Sequence, residues 1–598
     1  MSIFSSRTFA IAWVLILSAT GLWATGAEEA PAAAADKNYV TDPATGKVVT
    51  APEYGGTLTY PDLSKAETTD PFITGHPATR FIGSVNEKLA WGDWSIDRDL
   101  WDFSTNFSYP TVATTGGLAE SWEQPDDTTI VVHIRPGVHW HDKPPMNGRE
   151  LTADDVVYTF QRNTVQGDFT ERPLKTYELI NLPWESIEAT DKYTVVFKLK
   201  EPYLGALKAI LSDIQGWILP PEVIEQYGDY ADWRNVVGTG SIMLTDYVEG
   251  VSITWDKNPD YWGYDPKYPE NRLPYIDQLR LLYMPEESTR LSALRTGQID
   301  MIHAGTAAVN TLDVVKSLQR TNSEVQVTSY FMRAVGSFGL NVHKPPFDDV
   351  RVRHALQMAL DLETINDTYY GGYAMWEPMG MIGYALPEYY TPFEDFPEEV
   401  KQYYRYDPEG AEKLLDEAGY PRDADGVRFK VNYDHVIADD LGYAEIAVGY
   451  WDAIGVDVEI DMYDGPTWYN RRNDGIYHMT LGDMGFNLSP SMLIGWYRGG
   501  GHVRHYMGGD VDTPEMTAAY EAFFAATTVE EQQRAFKEFD MAIIKHHNQI
   551  YSPMRPRYQV AQPWVKGYNG EWELEIAGER SVLIHLWIDQ DLKEEMGF

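Results

Sequence analysis

The sequence predicts an α/β protein of two lobes, and three observations carry that expectation. A helix–glycine–strand unit closes one lobe: Trp451-Asp452-Ala453-Ile454 ends a helical stretch, Gly455 turns the chain, and Val456-Asp457-Val458-Glu459-Ile460-Asp461 alternates apolar and acidic residues with the period of a strand. The same logic recurs over residues 291–301, where Gly297 is placed to stop a helix before a buried strand. Finally, 598 residues exceed the roughly 250–300 that one hydrophobic core supports.

Taken in order, the chain opens with Arg7, the apolar run 9–17 and small residues at Ala24, Gly26 and Ala27. That run is shorter than the ~20 residues a spanning helix needs, so residues 1–26 read as a secretory signal and the mature chain as soluble in a periplasm-like space. Residues 27–50, with Pro31-Ala32-Ala33-Ala34-Ala35, read as a flexible leader. From Glu53 onward there is no repeat period. Residues 130–135 and 193–199 are β-branched or aromatic runs ended by Pro136-Gly137 and Glu201-Pro202, and are expected as strands. Asp407-Pro408 caps and starts a helix with the stripe Ala411, Leu414, Leu415 and Ala418, which Gly419 closes. Thr528 and Glu531 have capping-box spacing ahead of the stripe Phe536, Phe539 and Ile543.

Composition excludes several functions. With 48 Lys+Arg against 90 Asp+Glu, the formal charge is −42, so nucleic acid and anionic lipid surfaces are repelled. The absence of cysteine rules out disulfides, thiol catalysis, Cys-ligated metals and an acylated N-terminal cysteine, so the chain is not expected to be a lipoprotein. No nucleophile elbow, zinc helix or phosphate-binding glycine loop occurs. His139/His141, His502/His505 and His546-His547 each lack a third ligand, so no metal and no cofactor are expected. The abundant carboxylates leave one catalytic alternative, a secreted glycan hydrolase working with an acid pair. Trp 19 and Tyr 39 suit a cleft that stacks on a ligand, and the loops Met484-Gly485-Phe486 and Gly495-Trp496-Tyr497 are the cleft candidates.

Four ordered motifs then carry a resemblance. They are Leu118-Ala119-Glu120-Ser121-Trp122-Glu123, continuing through Ile134-Arg135-Pro136-Gly137-Val138 and His141-Asp142 to residues 151–157; Gly238-Thr239-Gly240 with Asn258-Pro259-Asp260-Tyr261-Trp262; Gly297-Gln298-Ile299-Asp300; and Asn341 with residues 345–361, including Asp348-Asp349-Val350-Arg351-Val352-Arg353-His354-Ala355-Leu356. The chain resembles the family 5 extracytoplasmic solute-binding proteins of ABC importers, the dipeptide-, oligopeptide- and nickel-binding type. The resemblance implies a two-lobed periplasmic-binding-protein fold (type II, Venus flytrap) with an additional small domain. It places domain I at 51–88, 191–335 and 554–598, domain II at 89–190 and domain III at 336–553. It also implies a monomer that is not an enzyme, closes over an oligopeptide or oligosaccharide-like ligand, and docks on a permease in the inner membrane.

The motif residues themselves read as scaffold, with Asp348 or Asp349 capping a helix and Arg351 and Arg353 in structural ion pairs. Peptide-binding relatives anchor the free amino group with an aspartate four residues before a proline. Here Phe486 stands in that place ahead of Pro490, with Asp483 three positions earlier. The ligand-binding candidates are therefore Asp483, Met484, Phe486, Trp468 and Trp496, with Arg472 as a candidate for an anionic group or, equally, a solvated surface arginine.

Overall fold

The computed structural model describes residues 38–63, 69–71, 79–104, 109–164, 179, 182–213, 216–303, 307–331, 334–384, 386–436, 441–485, 489–498, 513–575, 578 and 580–598. The signal segment, Phe486, His502 and His505 lie outside them. No described helix is long and apolar enough to cross a membrane.

The first lobe holds a four-stranded sheet in the order Ile242–Val248, Ser252–Lys257, Gln278–Tyr283, Thr57–Asp62, whose last pair is parallel. Beside it lies a three-stranded sheet of Met301–Ile302, Pro556–Ala561 and Gln326–Phe331. The second of these strands comes from the far end of the chain, so the first lobe is discontinuous. An accessory antiparallel sheet runs Ala119–Asp126, Thr129–Ile134, Thr194–Leu199, Trp184–Asp191, covered by the helix Ala153–Thr164. Its inward residues Ile130, Phe160 and Phe197 belong to the same buried cluster as Leu58 and Leu279, so this unit shares its core with the first lobe.

The second lobe is built on a five-stranded sheet in the order Val456–Tyr463, Phe429–Val436, Met479–Met484, Ala334–Leu340, Gln549–Ile550. The expected helix–glycine–strand unit is here: Leu441–Ala453 is helical, Gly455 takes φ +84°, and Val456–Tyr463 pairs in parallel with Phe429–Val436. At the centre of the core, Phe338 meets Tyr433 at 4.9 Å and Trp451 at 4.8 Å, both edge-on. Such pairs contribute about 0.5–1.5 kcal/mol each beyond the area they bury.

Local signals did their expected work. Asp407 accepts the Gly410 N–H at the start of Pro408–Glu417, and Thr528 and Glu531 form the capping box of Val529–His546. Asp349, rather than Asp348, caps Val350–Met358. Gly297 takes φ +68° after the helix Glu287–Arg295, and the buried strand beyond it is only Met301–Ile302. The first long motif and the Gly-Thr-Gly motif converge, the His141 N–H donating to the Gly238 oxygen at 2.8 Å, and a Cβ on Gly238 would lie 1.8 Å from the Val85 carbonyl oxygen, so only glycine lets Gly238 approach that segment. His141 is buried there, with Nε2 2.9 Å from the Gly240 oxygen, and burial pushes it down to about 4. That is a satisfied core histidine, as the lack of a third ligand implies.

The expected flexible leader differs over its second half. Tyr39–Thr41 and Val48–Thr50 form a hairpin, Asp42 and Ala44 are buried, Lys267 donates to Asp42 at 3.0 Å, and Arg98 N–H donates to the Ala44 oxygen at 2.8 Å. Three-residue strands carry too little periodicity to be read locally. Their anchor, Lys267, lies more than 200 residues away.

Candidate ligand cleft

The chain passes between the two lobes at two adjacent places. Phe331 ends a first-lobe strand opposite Pro556, and Ala334 begins a second-lobe strand. On the return, Ile550 leaves the second-lobe sheet and Pro556 enters the first-lobe sheet. Two short crossovers side by side are the connection that a hinge between two lobes uses, because few backbone torsions separate the two sheets.

Around the hinge the structure gathers soft and aromatic side chains. Met375 and Met554 exchange backbone hydrogen bonds, both at 2.8 Å. Tyr551 is fully buried and its N–H donates to Gln357 at 2.7 Å. On the first-lobe side Tyr330 packs edge-on against Trp572 at 4.7 Å. Burial holds the Tyr330 phenol up at about 12, against the pull of Arg557 and Arg555. Further out the lobes touch: Tyr203 lies 6.2 Å from Phe524, Lys316 sits 5.9 Å over the ring of Tyr373, and Asp102 lies close enough to act on the half-buried Tyr384 phenol.

Most of the sequence candidates fall on one strand and the helix packed beside it. Trp468 and Arg472 occupy the helix Gly465–Asn473, which Asp464 caps through the Thr467 N–H. The Trp468 indole donates to the Thr480 hydroxyl at 3.0 Å, on the strand that carries Asp483 and Met484. Asp483 pairs in register with Val335 at the crossover, Met484 is buried, and Trp496 lies on the following helix, Pro490–Arg498. Arg472 is not a solvated surface arginine. It is 2% exposed, with its guanidinium 4.2 Å from the Trp468 ring and 5.0 Å from that of Tyr469. Its neighbour Arg471 pairs instead with Asp434 at 2.7 Å. Sequence reasoning missed Tyr330, Trp572, Met375 and Met554, which meet only because the two crossovers are adjacent. Among the described residues no group of three His, Cys, Asp or Glu side chains is placed to hold a metal ion.

With this geometry in place, comparison with known proteins is decisive for the family. The sequence profile of the bacterial extracellular solute-binding proteins, family 5 Middle, matches residues 113–503. The chain belongs to this family. As a family 5 solute-binding protein it is similar to the heme-binding protein A of Haemophilus influenzae, with 26% identity over 75% of this chain and 81% of that one. It is also similar to the dipeptide-binding protein of Escherichia coli, with 28% identity over 65% and 71% of the two chains. Among solved structures, the Helicobacter pylori periplasmic binding protein DppA, in complex with the peptide STSA, matches with a TM-score of 0.67 at 21% identity over 90% of this chain and 99% of that one. A Pseudoalteromonas dipeptide-binding protein in complex with Met-Leu gives 0.69 at 19% identity over 89% and 100%. The two-lobed fold of the periplasmic binding proteins is thereby established, and the function is that of a solute-binding protein of an ABC importer. Nothing supports the glycan-hydrolase alternative.

Proposed function

We propose that this protein captures a short peptide between its lobes and presents it to the permease of an ABC importer, without turning it over. The observation that carries the reading is the paired crossover at Phe331 and Pro556, which joins two separately cored lobes. A ligand touching both lobes favours the closed state by the difference in its affinity for the two states. Relatives named for dipeptides and oligopeptides support a peptide, and the methionines at the hinge suit varied side chains because an unbranched thioether repacks easily. On this reading the 482–490 loop supplies the ligand contacts, with Asp483 as amino-group anchor and Phe486 as stacking face. Arg472, backed by Trp468, orders that wall of the cleft. The remaining parts of the proposal are a cleaved signal over 1–26, a soluble periplasmic monomer without a lipid anchor, and domain limits at 51–88, 191–335 and 554–598; 89–190; and 336–553.

The test is a thermal-shift screen of the mature protein with di- to pentapeptides, oligosaccharides and divalent metals, since a ligand bound only by the folded state raises Tm by mass action. Saturable stabilisation by peptides, with peptide recovered intact, is expected. Stabilisation by saccharides alone overturns the substrate class, and cleavage of the peptide overturns the binding role. Phe486→Ala is expected to weaken the identified peptide about tenfold with Tm unchanged in its absence, and unchanged affinity removes Phe486 from the site.

A further inference from the structure

Away from the hinge the lobes meet through aromatic rings, and one of these contacts joins rings that are each braced within their own lobe. Tyr203 follows Pro202, and its carbonyl accepts the Ala206 N–H at 3.0 Å at the start of the helix Ala206–Ser212. Its ring packs on the buried core of the first lobe. Facing it, Phe524 lies on the helix Pro514–Ala525 of the second lobe, against Tyr520 at 4.8 Å and Phe523 at 5.1 Å. Phe523 in turn is buried in a small core with Leu493, Phe536 and Ile543. The Tyr203 and Phe524 rings stand 6.2 Å apart and tilted by 39°, within the spacing at which aromatic pairs attract. Phe524 is still 37% exposed, so it fills neither core, and its contact with Tyr203 reaches across to the other lobe. The contact of Lys316 with Tyr373 is placed differently. Tyr373 is two positions from Met375, which is bonded to Met554 at the hinge, so it shifts little as the lobes swing.

We propose that Tyr203 and Phe524 form a latch between the lobes, which holds the closed state and sets how fast any ligand leaves without touching the ligand. The inference rests on the capture between lobes proposed above and adds a determinant of affinity outside the ligand wall. A contact between two bodies that share a hinge exists at one interlobe angle, so opening must break it. Its free energy is therefore added to the barrier for release whatever the cleft holds. A side chain that touches the ligand behaves differently, because its contribution changes with the ligand's own groups. Loss of the latch leaves those contacts intact and lowers the share of time the lobes spend closed, which scales the affinity of all ligands by one factor. The free energy of an aromatic pair, converted to a ratio, makes that factor about two- to tenfold. The two rings act only on each other across the gap, so removing the second after the first costs nothing further.

The test is stopped-flow release of two unlike tripeptides, tri-alanine and tri-leucine, from the mature protein and from Tyr203→Ala, Phe524→Ala and the double variant, followed by tryptophan fluorescence. Each single substitution is expected to speed release about two- to tenfold, by the same factor for both peptides. The double variant is expected to release no faster than the faster single one. Unchanged release in both single variants overturns the latch. So do effects that multiply in the double variant, which would make the two rings independent, and factors that differ between the peptides, which would make them ligand contacts. Should Phe524→Ala fail to fold, Tyr203→Ala on the other lobe decides alone. If neither tripeptide binds the unsubstituted protein, the ligand class fails rather than the latch. The latch is then judged without ligand on a protein carrying Tyr203→Cys and Phe524→Cys, in a chain that has no other cysteine. Rapid joining of the two thiols by a short bifunctional maleimide supports the contact, and no joining overturns it.

Discussion

Among the buried charged residues of the two lobes, Glu87 in the first and Arg353 in the second are opposite in sign and both tie distant segments together. In the first lobe Glu87, 2% exposed, accepts from the Thr239 hydroxyl at 2.7 Å, the Tyr261 hydroxyl at 2.9 Å and the Trp262 indole at 3.1 Å. In the second, Arg353, also 2% exposed, donates to the carbonyl of Phe347 at 2.6 Å and to that of His546 at 2.8 Å. Both therefore tie together segments remote in sequence. They differ in how they answer to protons. Burial pushes Glu87 up to about 7, whereas Arg353, pushed down to about 10 by burial, stays charged. Because Arg353 stays charged, its histidine neighbours are kept neutral: His354 is lowered to about 4 and His546 to about 3, by burial first and then by Arg353. An acid nail is itself the titrating group; a basic nail transfers the sensitivity to whatever packs around it.

The comparison breaks most visibly if the nails are pulled. Arg353→Met leaves two buried carbonyls without their donor, and with charge-assisted bonds at about 1.5–3 kcal/mol each the expected loss is about 3–5 kcal/mol. Glu87→Ala strands three donors and should cost a similar amount, whereas Glu87→Gln keeps an acceptor and should cost about 1 kcal/mol. Urea denaturation followed by hydrogen exchange assigns each loss to its lobe. A loss below 1 kcal/mol for Arg353→Met would show that the second lobe is held elsewhere.

These nails explain what was legible. The motifs containing Tyr261, Trp262 and Arg353 were recognisable because they are written in consecutive residues, and so were helix caps such as Asp407 and Thr528, whose partners lie within four positions. Arg353 departs from the expected ion pair: Arg351 takes Asp349 at 2.5 Å, while Arg353 turns inward to carbonyls. What could not be read is whatever depends on crossings. Tyr330 and Trp572 are 242 positions apart in numbering yet form one contact, and Asp540 and Gly380 meet across a turn of helix and a loop. The candidate cleft is made of such encounters, whereas the candidates Asp483 and Met484 are consecutive on one strand and so could be named from a local motif.

A second carboxylate sharpens the contrast. Glu575, 3% exposed, has an Oε2 that accepts no hydrogen bond from a described residue, and burial pushes it up to about 8 with Glu87 adding to the rise. Its folded value exceeds its unfolded one, so the folded state keeps a proton the unfolded state has released; stability falls as pH rises from about 4.5 to 8. Glu575→Gln removes that loss without stranding a donor. At pH 8 it should raise Tm by roughly 2–4 °C, the shift expected for about 1 kcal/mol in a domain of this size, and change nothing at pH 4.5. A lower Tm at pH 8 would mean that the ionised carboxylate is doing structural work.

For the second lobe the sign reverses. His354 and His546 have folded values below the ordinary histidine range, so their contribution is present above about pH 6.5 and is lost as pH falls through 4. Asp540 in this lobe acts the other way, its carboxyl being raised, while His141 and His585, lowered to about 4 and 3, act in the same direction as His354 and give the first lobe an acid response of its own. With His354 stacked on Tyr403 at 3.6 Å, His547 4.7 Å away and Arg353 acting on both, acid gathers several like charges in one place in the second lobe, whereas in the first lobe His141 meets Lys143 and His585 meets Lys267 and Arg98 separately. Hydrogen exchange at pH 4.5, corrected for intrinsic rates, should therefore show Val350–Met358 losing protection before Gln278–Tyr283. The reverse order would locate the acid-sensitive charge in the first lobe.

The smallest effect tests whether Arg353 acts as a charge balanced by a carboxylate or as a donor to carbonyls. Asp349, with Asp348 adding less, raises Arg353 against its burial, and it also caps the helix by accepting the Arg351 N–H at 2.9 Å. Asp349→Asn keeps the capping oxygen and removes only the charge. If Arg353 is fastened by Phe347 and His546, the substitution loses an exposed pair with Arg351 and little else, so less than about 0.5 kcal/mol is expected. If instead the second lobe depends on a buried ion pair, neutralising its acid leaves the guanidinium uncompensated and the loss approaches that of Arg353→Met. Urea midpoints of Asp349→Asn and Arg353→Met measured side by side separate the two, because the hydrogen bonds to carbonyls are the same in wild type and Asp349→Asn and absent only in Arg353→Met.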